Sequence, residues 1–372
     1  MAPENSPDIT VAVGQMPRAD ALEAKWRALE IAAEPSFFQT WNWIGPWLDS
    51  ARFPVPPRLI EATREGVCVG LGILSSRRMV RRYAVVSHGL FLNETGDPEH
   101  DSIAIEHNGF LVDRVNAGDI QAACLRWLIE HDRSWNEIHL GGVPSYYADL
   151  GYRLGLRAWI KKATSSMVVD LQGCSSFDDF VARLDASTRR RYRQSLRYYR
   201  ESGEIRLDAA EDISQAREYF AELKRLHILR WQALGQPHAF RGPFFERFHL
   251  ALIERGLPEG RIELLRLSVG GRPIAYLYNF LLGSQVYNYQ SGFEYTSASR
   301  ARPGLVSHIA AIGRAIEQGA RGYDLLAGAT RFKSSLANRE VPLVWLTLQR
   351  PQVILRAEGA ARAFKNWLTS RS

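Results

Sequence analysis

The chain lays down the same succession of elements twice, and nothing else in it restricts the fold as much. In the first half, Arg58 to Ala62 and Val67 to Leu74 predict paired strands around Arg64-Glu65-Gly66. Ile120 to His131 has helical periodicity, and Glu137-Ile138-His139-Leu140-Gly141-Gly142 reads as a strand that runs out in glycines. In the second half, Arg261 to Val269, the Gly270-Gly271 turn, Pro273 to Leu282 and Gln285 to Ser291 read as three strands. A helix from Leu305 to Gln318 stops at Gly319, a residue suited to a left-handed cap. Tyr323-Asp324-Leu325-Leu326-Ala327-Gly328 then closes on glycine again. Residue identity between the halves is low, so the order alone points to two related α/β units. A chain of 372 residues has room for both.

The remaining segments complete the expected plan. Residues 1–18 lack periodicity and read as a loose arm, followed by an N-terminal unit over 19–165. Within it, Ala19 to Ala33 is a first helix, and the aromatic-rich stretch Ser36 to Leu48 is a short buried helix between turns. The C-terminal unit spans 166–350 and includes a mainly helical bridge over 175–235; 351–372 is a helix or tail. In the bridge, Ser176 precedes an Asp-rich first turn, as at a helix start. Ile213 to Leu234 forms its last helix.

Charge directs attention to one element. The net charge is +7, and only six of the 47 basic residues are lysine. Between Ser187 and Arg200, six arginines interleave with three tyrosines on a predicted helix. Arg189, Arg193, Arg197 and Arg200 fall on roughly one face, where guanidinium forks suit phosphate or carboxylate and tyrosines suit stacking. An anionic surface or RNA is the partner this face fits.

Several classes drop out. Cys68, Cys124 and Cys174 lie far apart, which gives no zinc spacing and no disulfide framework and fits a reducing cytoplasm. No apolar run reaches the roughly 18 residues of a membrane span, and the first ten residues lack a signal-peptide pattern. No Ser-His-Asp order or Cys-His pairing favours a covalent acyl-enzyme. No metal is expected.

One loop has the makings of an anion site. Ser299-Arg300-Ala301-Arg302-Pro303-Gly304-Leu305 stands between a strand and a helix. The helix N-terminus offers free N–H groups, Gly304 permits close approach, and Arg300 and Arg302 can neutralise phosphate. The loop matches neither the Walker A nor the GxGxxG pattern.

The ordered set Leu226-His227-Ile228-Leu229-Arg230-Trp231, Gly271-Arg272-Pro273-Ile274-Ala275, Tyr289-Gln290-Ser291-Gly292-Phe293, Arg302-Pro303-Gly304-Leu305, Tyr323 to Gly328 and Phe332-Lys333 resembles the CelD/BcsL-like acetyltransferases. These form a branch of the GNAT superfamily linked to cellulose and exopolysaccharide biosynthesis. The resemblance covers about residues 35 to 345 and is strongest from 165 to 335. It implies an α/β (α+β) fold of tandem GNAT-like units with mixed, splayed sheets and a helical bridge. It also implies acetyl-CoA or another acyl-CoA as cosubstrate, with its pyrophosphate on Arg300, Arg302, Gly304 and Leu305. The superfamily's loop has a second small residue where this chain has Val306. The tandem plan also resembles the FemABX aminoacyltransferases, which take their acyl group from aminoacyl-tRNA.

The resemblance assigns the remaining roles. His227 is the expected general base, since an imidazole titrates near neutrality. Tyr289 would return a proton to the departing thiolate, Asp324 would orient a base or the acceptor amine, and Lys333 would hold an acyl oxygen or an anionic acceptor. Arg230, Trp231 and Ser291 would contact the acceptor. His227 and Lys333 are expected near one cleft. The function implied is acyl transfer to an amine or hydroxyl of a sugar or envelope precursor, or an accessory role in polysaccharide synthesis.

Overall fold

Where a loose arm was expected, the chain forms its first strand, β1 (Ile9–Gln15). Ile9, Val11 and Val13 turn inward on alternate residues, and the whole strand pairs antiparallel with β2 (Arg58–Arg64). The structure is a computed structural model and describes residues 9–80, 86–328 and 330–351. The first eight residues of the arm and the expected C-terminal tail from 352 onward lie outside them.

Two units divide the chain: Met1–Ala163 with Leu343–Ser372, and Thr164–Pro342. In the first, α1 (Ala19–Ala32) and α2 (Trp41–Ser50) take the aromatic stretch inside. Trp26, Phe37, Phe38, Trp43 and Trp47 are buried, and the Trp26 indole donates to Gln39 O at 2.8 Å. β2 turns into β3 (Val67–Val80) through Glu65 and Gly66, whose φ values of 50° and 77° make a tight hairpin turn. Next come β4 (Val86–Leu92), the short β5 (Leu111–Val112), α3 (Ala117–His131), β6 (Glu137–Pro144) and α4 (Tyr146–Arg153). The sheet order is β1-β2-β3-β4-β6, antiparallel except for the parallel pair β4–β6. A last strand, antiparallel to β6, comes from residues 343–349.

β7 (Arg157–Asp170) carries the chain into the second unit. There α5 (Phe177–Arg183), α6 (Ala186–Arg200), β8 (Ile205–Ala209) and α7 (Ile213–Ala233) occupy the expected bridge. The bridge is part of this unit's own layers, and β8 interrupts it by pairing with β9 (Ile262–Val269). The unit continues with α8 (Pro243–Gly256), β10 (Arg272–Leu282), β11 (Gln285–Phe293), α9 (Pro303–Glu317), β12 (Gly322–Ala327), α10 (Arg331–Ser334) and β13 (Arg339–Gln349). The residues of β13 from Leu343 onward are those that return to the first unit, seven or so residues short of the expected boundary at 350. The sheet order is β8-β9-β10-β11-β12-β7, with β11–β12 parallel.

One face of this sheet packs against α5, α6 and α9 through Leu265, Leu277, Val286, Leu325, Val306 and Ile309. The other face meets α7 and α8 in an aromatic layer that includes Phe220, Phe245, His249, Tyr278 and Phe280. Both units thus share one scheme: an antiparallel meander, a helix, then a strand parallel to the meander's last strand. The fold is mixed α/β with mixed sheets.

Candidate functional site

The second unit opens where β11 and β12 part. They pair in parallel only from Gln285 opposite Gly322 to Tyr287 opposite Asp324. Each strand is irregular just beyond: β11 bulges at Tyr289 against β10, and β12 bulges between Asp324 and Ala327 against β7. Bulges bend and twist a strand, so the two edges diverge and their backbone groups lose each other as partners.

On the β12 side, the buried Asp324 carboxylate accepts the Leu326 N–H at 2.7 Å and the Ser166 hydroxyl at 2.5 Å. It thereby holds Leu326 in the left-handed region at φ 60°. The Leu326 and Ala327 carbonyls both accept from Lys333 Nζ, at 3.2 and 2.8 Å. Asp324 and Lys333, read as acceptor or acyl-binding groups, are therefore the two groups that shape the bulge.

On the β11 side, five side chains form a directed relay. Glu263 receives Arg314 Nε at 2.7 Å and the Asn279 amide at 3.2 Å. Asn279 Oδ1 receives the Asn288 amide at 2.9 Å, and Asn288 Oδ1 receives the Ser291 hydroxyl at 3.0 Å. A carboxylate can only accept, so Glu263 fixes the orientation of both amides, and Ser291 must donate inward. The lone pairs of Ser291 Oγ are thereby left for a donor hydrogen. Among the described residues, the Ser291 N–H is met by the carboxamide of its neighbour Gln290, at 3.2 Å. Asn279 also lies 3.4 Å from the Tyr323 hydroxyl, which is 3.5 Å from His308 Nδ1. The relay escaped the sequence reading because its members are spread from Glu263 to Arg314. Asparagines set between aromatics, Tyr278-Asn279-Phe280 and Tyr287-Asn288-Tyr289, were the available signal.

His227 has a setting unlike the open cleft mouth expected of it. Gly292 lets α7 lie directly on β11, since a Cβ there would come within 2.7 Å of Leu223 O. One turn on, His227 is 6% exposed, hydrogen-bonded to the Ser291 backbone, and its Nε2 faces the Ala239 N–H at 3.5 Å. Its ring packs on Phe240 and Trp231. Burial lowers its pKa to about 4, so the ring is neutral. His308, enclosed on α9 and facing Lys333, is lowered to about 3 for the same reason first. His227 borders β11 and Lys333 borders β12, one on each strand of the fork.

The other predicted residues take varied places. Tyr289, the bulge residue, packs against Phe280 at 4.8 Å and His249 at 4.7 Å. Arg230 lies over the exposed Tyr295 ring at 4.2 Å, and Trp231 is exposed at the end of α7.

β11 leads into the loop before α9. Pro303 is the first residue of the helix, and Gly304 and Leu305 follow in its first turn, whose N–H groups have no partner inside a helix. The loop is anchored by α6: Ser195 Oγ donates to Arg300 O at 2.8 Å, and Arg302 lies 3.4 Å from the same hydroxyl. Arg300 is exposed and Arg302 half-buried.

The arginine helix needs correction at two points. Arg189 turns back to cap α5, donating to Ala182 O at 2.7 Å and to Leu184 O, so it leaves the expected cationic face. Tyr192 and Tyr199 are buried in the core and offer no stacking surface. Arg193, Arg197 and Arg200 are exposed. Among the described residues no group of His, Cys, Asp and Glu has a metal-binding arrangement, and no helix is long and apolar enough to cross a membrane.

Comparison with known proteins supplies the family context. Residues 186–334 match the family model described as acetyltransferase (GNAT) domain. A search of curated protein sequences finds no match. Among solved structures, FemX aligns with TM-score 0.60 at 12% identity, over 91% of this chain and 96% of FemX. The C-terminal domain of a putative lysylphosphatidylglycerol synthetase from Agrobacterium fabrum aligns with TM-score 0.54 at 12% identity, over 93% and 96%. L-PGS from Bacillus licheniformis gives 0.54 at 11%, over 92% and 96%. The forked β11–β12 pair and the α9 N-terminus fall inside the segment of the second unit that matches the acetyltransferase (GNAT) domain, in a chain that shares its fold with FemX.

Proposed function

We propose that the chain transfers an acetyl or other acyl group from acyl-CoA to an amine or hydroxyl, with the donor lying in the β11–β12 fork. The observation that carries the reading is the continuity of two binding elements. An edge with a weakly covered N–H, at Ser291, leads twelve residues later to a helix N-terminus, at Pro303, flanked by Arg300 and Arg302. An extended amide chain suits the first, as an added strand does at any open edge, and a pyrophosphate suits the second. Gly304 and Leu305 would supply the backbone donors. Acyl-CoA contributes an activated thioester, so the chain's own work is to align the reactants and exclude water.

In this reading Ser291 Oγ accepts a hydrogen bond from the incoming amine or hydroxyl and so orients it. His227 positions the Ser291 backbone and does not serve as the base, because its ring is poorly basic and its nitrogens face backbone groups. Tyr289 remains the phenol for the departing thiolate. Lys333 and Asp324 keep the β12 edge in shape, and Arg230 and Trp231 are exposed for acceptor contact. A sugar or envelope precursor, as in the CelD/BcsL-like proteins, is the acceptor class we favour. The three free cysteines fit work in the reducing cytoplasm.

A second reading, with aminoacyl-tRNA as donor, is favoured by the exposed Arg193, Arg197 and Arg200 on the helix that anchors the α9 loop. Calorimetry separates the two. Under the first reading acetyl-CoA binds saturably, Arg302→Ala weakens it about tenfold, and Gly304→Val, whose Cβ would lie 3.3 Å from the Phe293 ring, weakens it further. Absence of acetyl-CoA binding with retention of tRNA would favour the second. Loss of both would leave the accessory role.

A further inference from the structure

The first unit contains its own pair of parting strands, and there the opening is filled by the chain itself. β4 and β6 run parallel from Gly89 opposite Glu137 to Phe91 opposite His139, then separate. As on β12, the register on β6 is irregular just past the fork, between Leu140 and Val143. The edges do not stay bare. The Glu94 carboxylate accepts the Gly141 N–H at 3.0 Å. Asn108 spans the gap, donating from its side-chain amide to Leu92 O on β4 at 2.9 Å and from its backbone N–H to Gly142 O on β6 at 3.0 Å.

Local sequence explains how the chain turns back across its own fork. Asn93 ends β4 in the left-handed region at φ 54°, a conformation asparagine tolerates better than most residues. Its side chain accepts the Ile73 N–H and donates to Asn108 Oδ1 and Gly109 O, which pins both ends of the crossing segment. Space agrees with the hydrogen bonds. A Cβ on Gly141 would lie 2.4 Å from the Glu94 carboxylate, and one on Gly142 would lie 2.5 Å from Ile105 O. A Cβ on Gly328, just past β12, would meet no described atom within 4 Å.

The carboxyl is held there at a cost. The Glu94 residue is half-buried, but its carboxyl is enclosed, and burial first, then the Asp101 charge, pushes its pKa up to about 8. Without that carboxyl the Gly141 N–H would be buried and unpaired, which is costlier than most polar burials. The position therefore requires an oxygen acceptor, and the chain provides one.

We infer that the first unit is a cleft of the same design whose ligand position is taken by Glu94 and Asn108, so that each chain accepts one acyl donor, in the second unit. The count of donors rests on the acyl-CoA reading; the internal occupation of the first cleft does not.

Two measurements test the two parts separately. Glu94→Ala should vacate a carboxylate-sized position beside the Gly141 N–H. At pH 5, where much of the added acetate is the neutral acid that this enclosed position favours, sodium acetate, compared with sodium chloride at equal ionic strength, should then raise the melting temperature of the variant about 2–4 °C more than that of the parent chain. An equal effect on both overturns the internal occupation. If Glu94→Ala does not fold, Glu94→Ser leaves much the same vacancy and is read in the same way. Titration of the full chain with coenzyme A should give one site, lost in the Arg300→Ala/Arg302→Ala double variant and kept in Glu94→Gln. Two sites, or one that survives the double variant, overturn the assignment to the second unit. No binding of coenzyme A to the parent chain overturns the donor reading alone, and the acetate result then decides the rest.

Discussion

Asp324 accepts the backbone N–H of Leu326, two residues along the same strand, at 2.7 Å, and so holds a leucine at φ 60°. Left-handed backbone costs a residue with a Cβ about 1–2 kcal/mol, and the bulge persists because the carboxylate and Lys333 over-determine it. Replacing Asp324 with Ala leaves the Leu326 N–H and the Ser166 hydroxyl without this acceptor. Urea unfolding should show a loss of about 2–3 kcal/mol, with Asp324→Asn, which keeps one acceptor oxygen, losing about half as much. A loss below about 0.5 kcal/mol in the alanine variant would contradict this account of the bulge.

Acid stability should report on His227. The unfolded ring titrates near 6.5 and the folded ring near 4, so between those values the unfolded chain binds more protons. The contribution is fully present above pH 6.5 and falls as pH drops through the window. His308, lowered to about 3, and His249, lowered well below the usual value by burial, act in the same direction. Between pH 7 and pH 5 the parent chain should lose about 2 kcal/mol more than His227→Gln, measured from urea midpoints at the two pH values. Equal losses would mean that the ring is not desolvated.

Gly292 is where α7 meets the forked strand. In Gly292→Ala the new methyl would lie 2.7 Å from Leu223 O, a backbone atom that cannot swing aside. The expected loss is about 1–3 kcal/mol, accompanied by a rise in the His227 pKa as α7 lifts and water reaches the ring. Thermal melts and a histidine NMR titration read the two effects. A neutral substitution would show that α7 has room that the structure does not give it.

The exposed arginines of α6 separate the two donor readings. If tRNA binds there, changing Arg193, Arg197 and Arg200 together to alanine should reduce the slope of log affinity against log salt by up to about 3, since each neutralised phosphate contributes nearly one unit. Coenzyme A affinity should change little, because the residue of α6 that anchors the α9 loop is Ser195. An unchanged salt slope with parent-like tRNA affinity would remove α6 from any nucleic-acid site.

The chain's periodicity was enough to read much of the second unit. β9, β10, β11, α9 and β12 lie within a few residues of their expected bounds, because each carries its own signal of alternation, turn or cap. Other elements lack such a signal. β1 was read as loose arm, and β8 was hidden in a run of helices, since short strands acquire their meaning only from the neighbour they pair with. The return of residues 343–349 to the first unit is a long-range pairing that no local pattern encodes.

The site divides along the same line. Arg302, Pro303 and Gly304 at the start of α9 are legible from the sequence, because helix starts are written in consecutive residues. The role of a side chain depends on what faces it. His227 became a desolvated, neutral ring when Gly292 allowed α7 to settle on β11. Arg189 left the cationic face because two carbonyls at the end of α5 lay within its reach. The relay from Arg314 to Ser291 and the closure of the first cleft by Glu94 join residues from separate elements. Sequence alone determined many of the strands and helices of the second unit and where α9 would begin. Only the tertiary structure decided which polar groups lost water and which partners they took in exchange, because desolvation and hydrogen-bond direction are set by atoms far away in the chain.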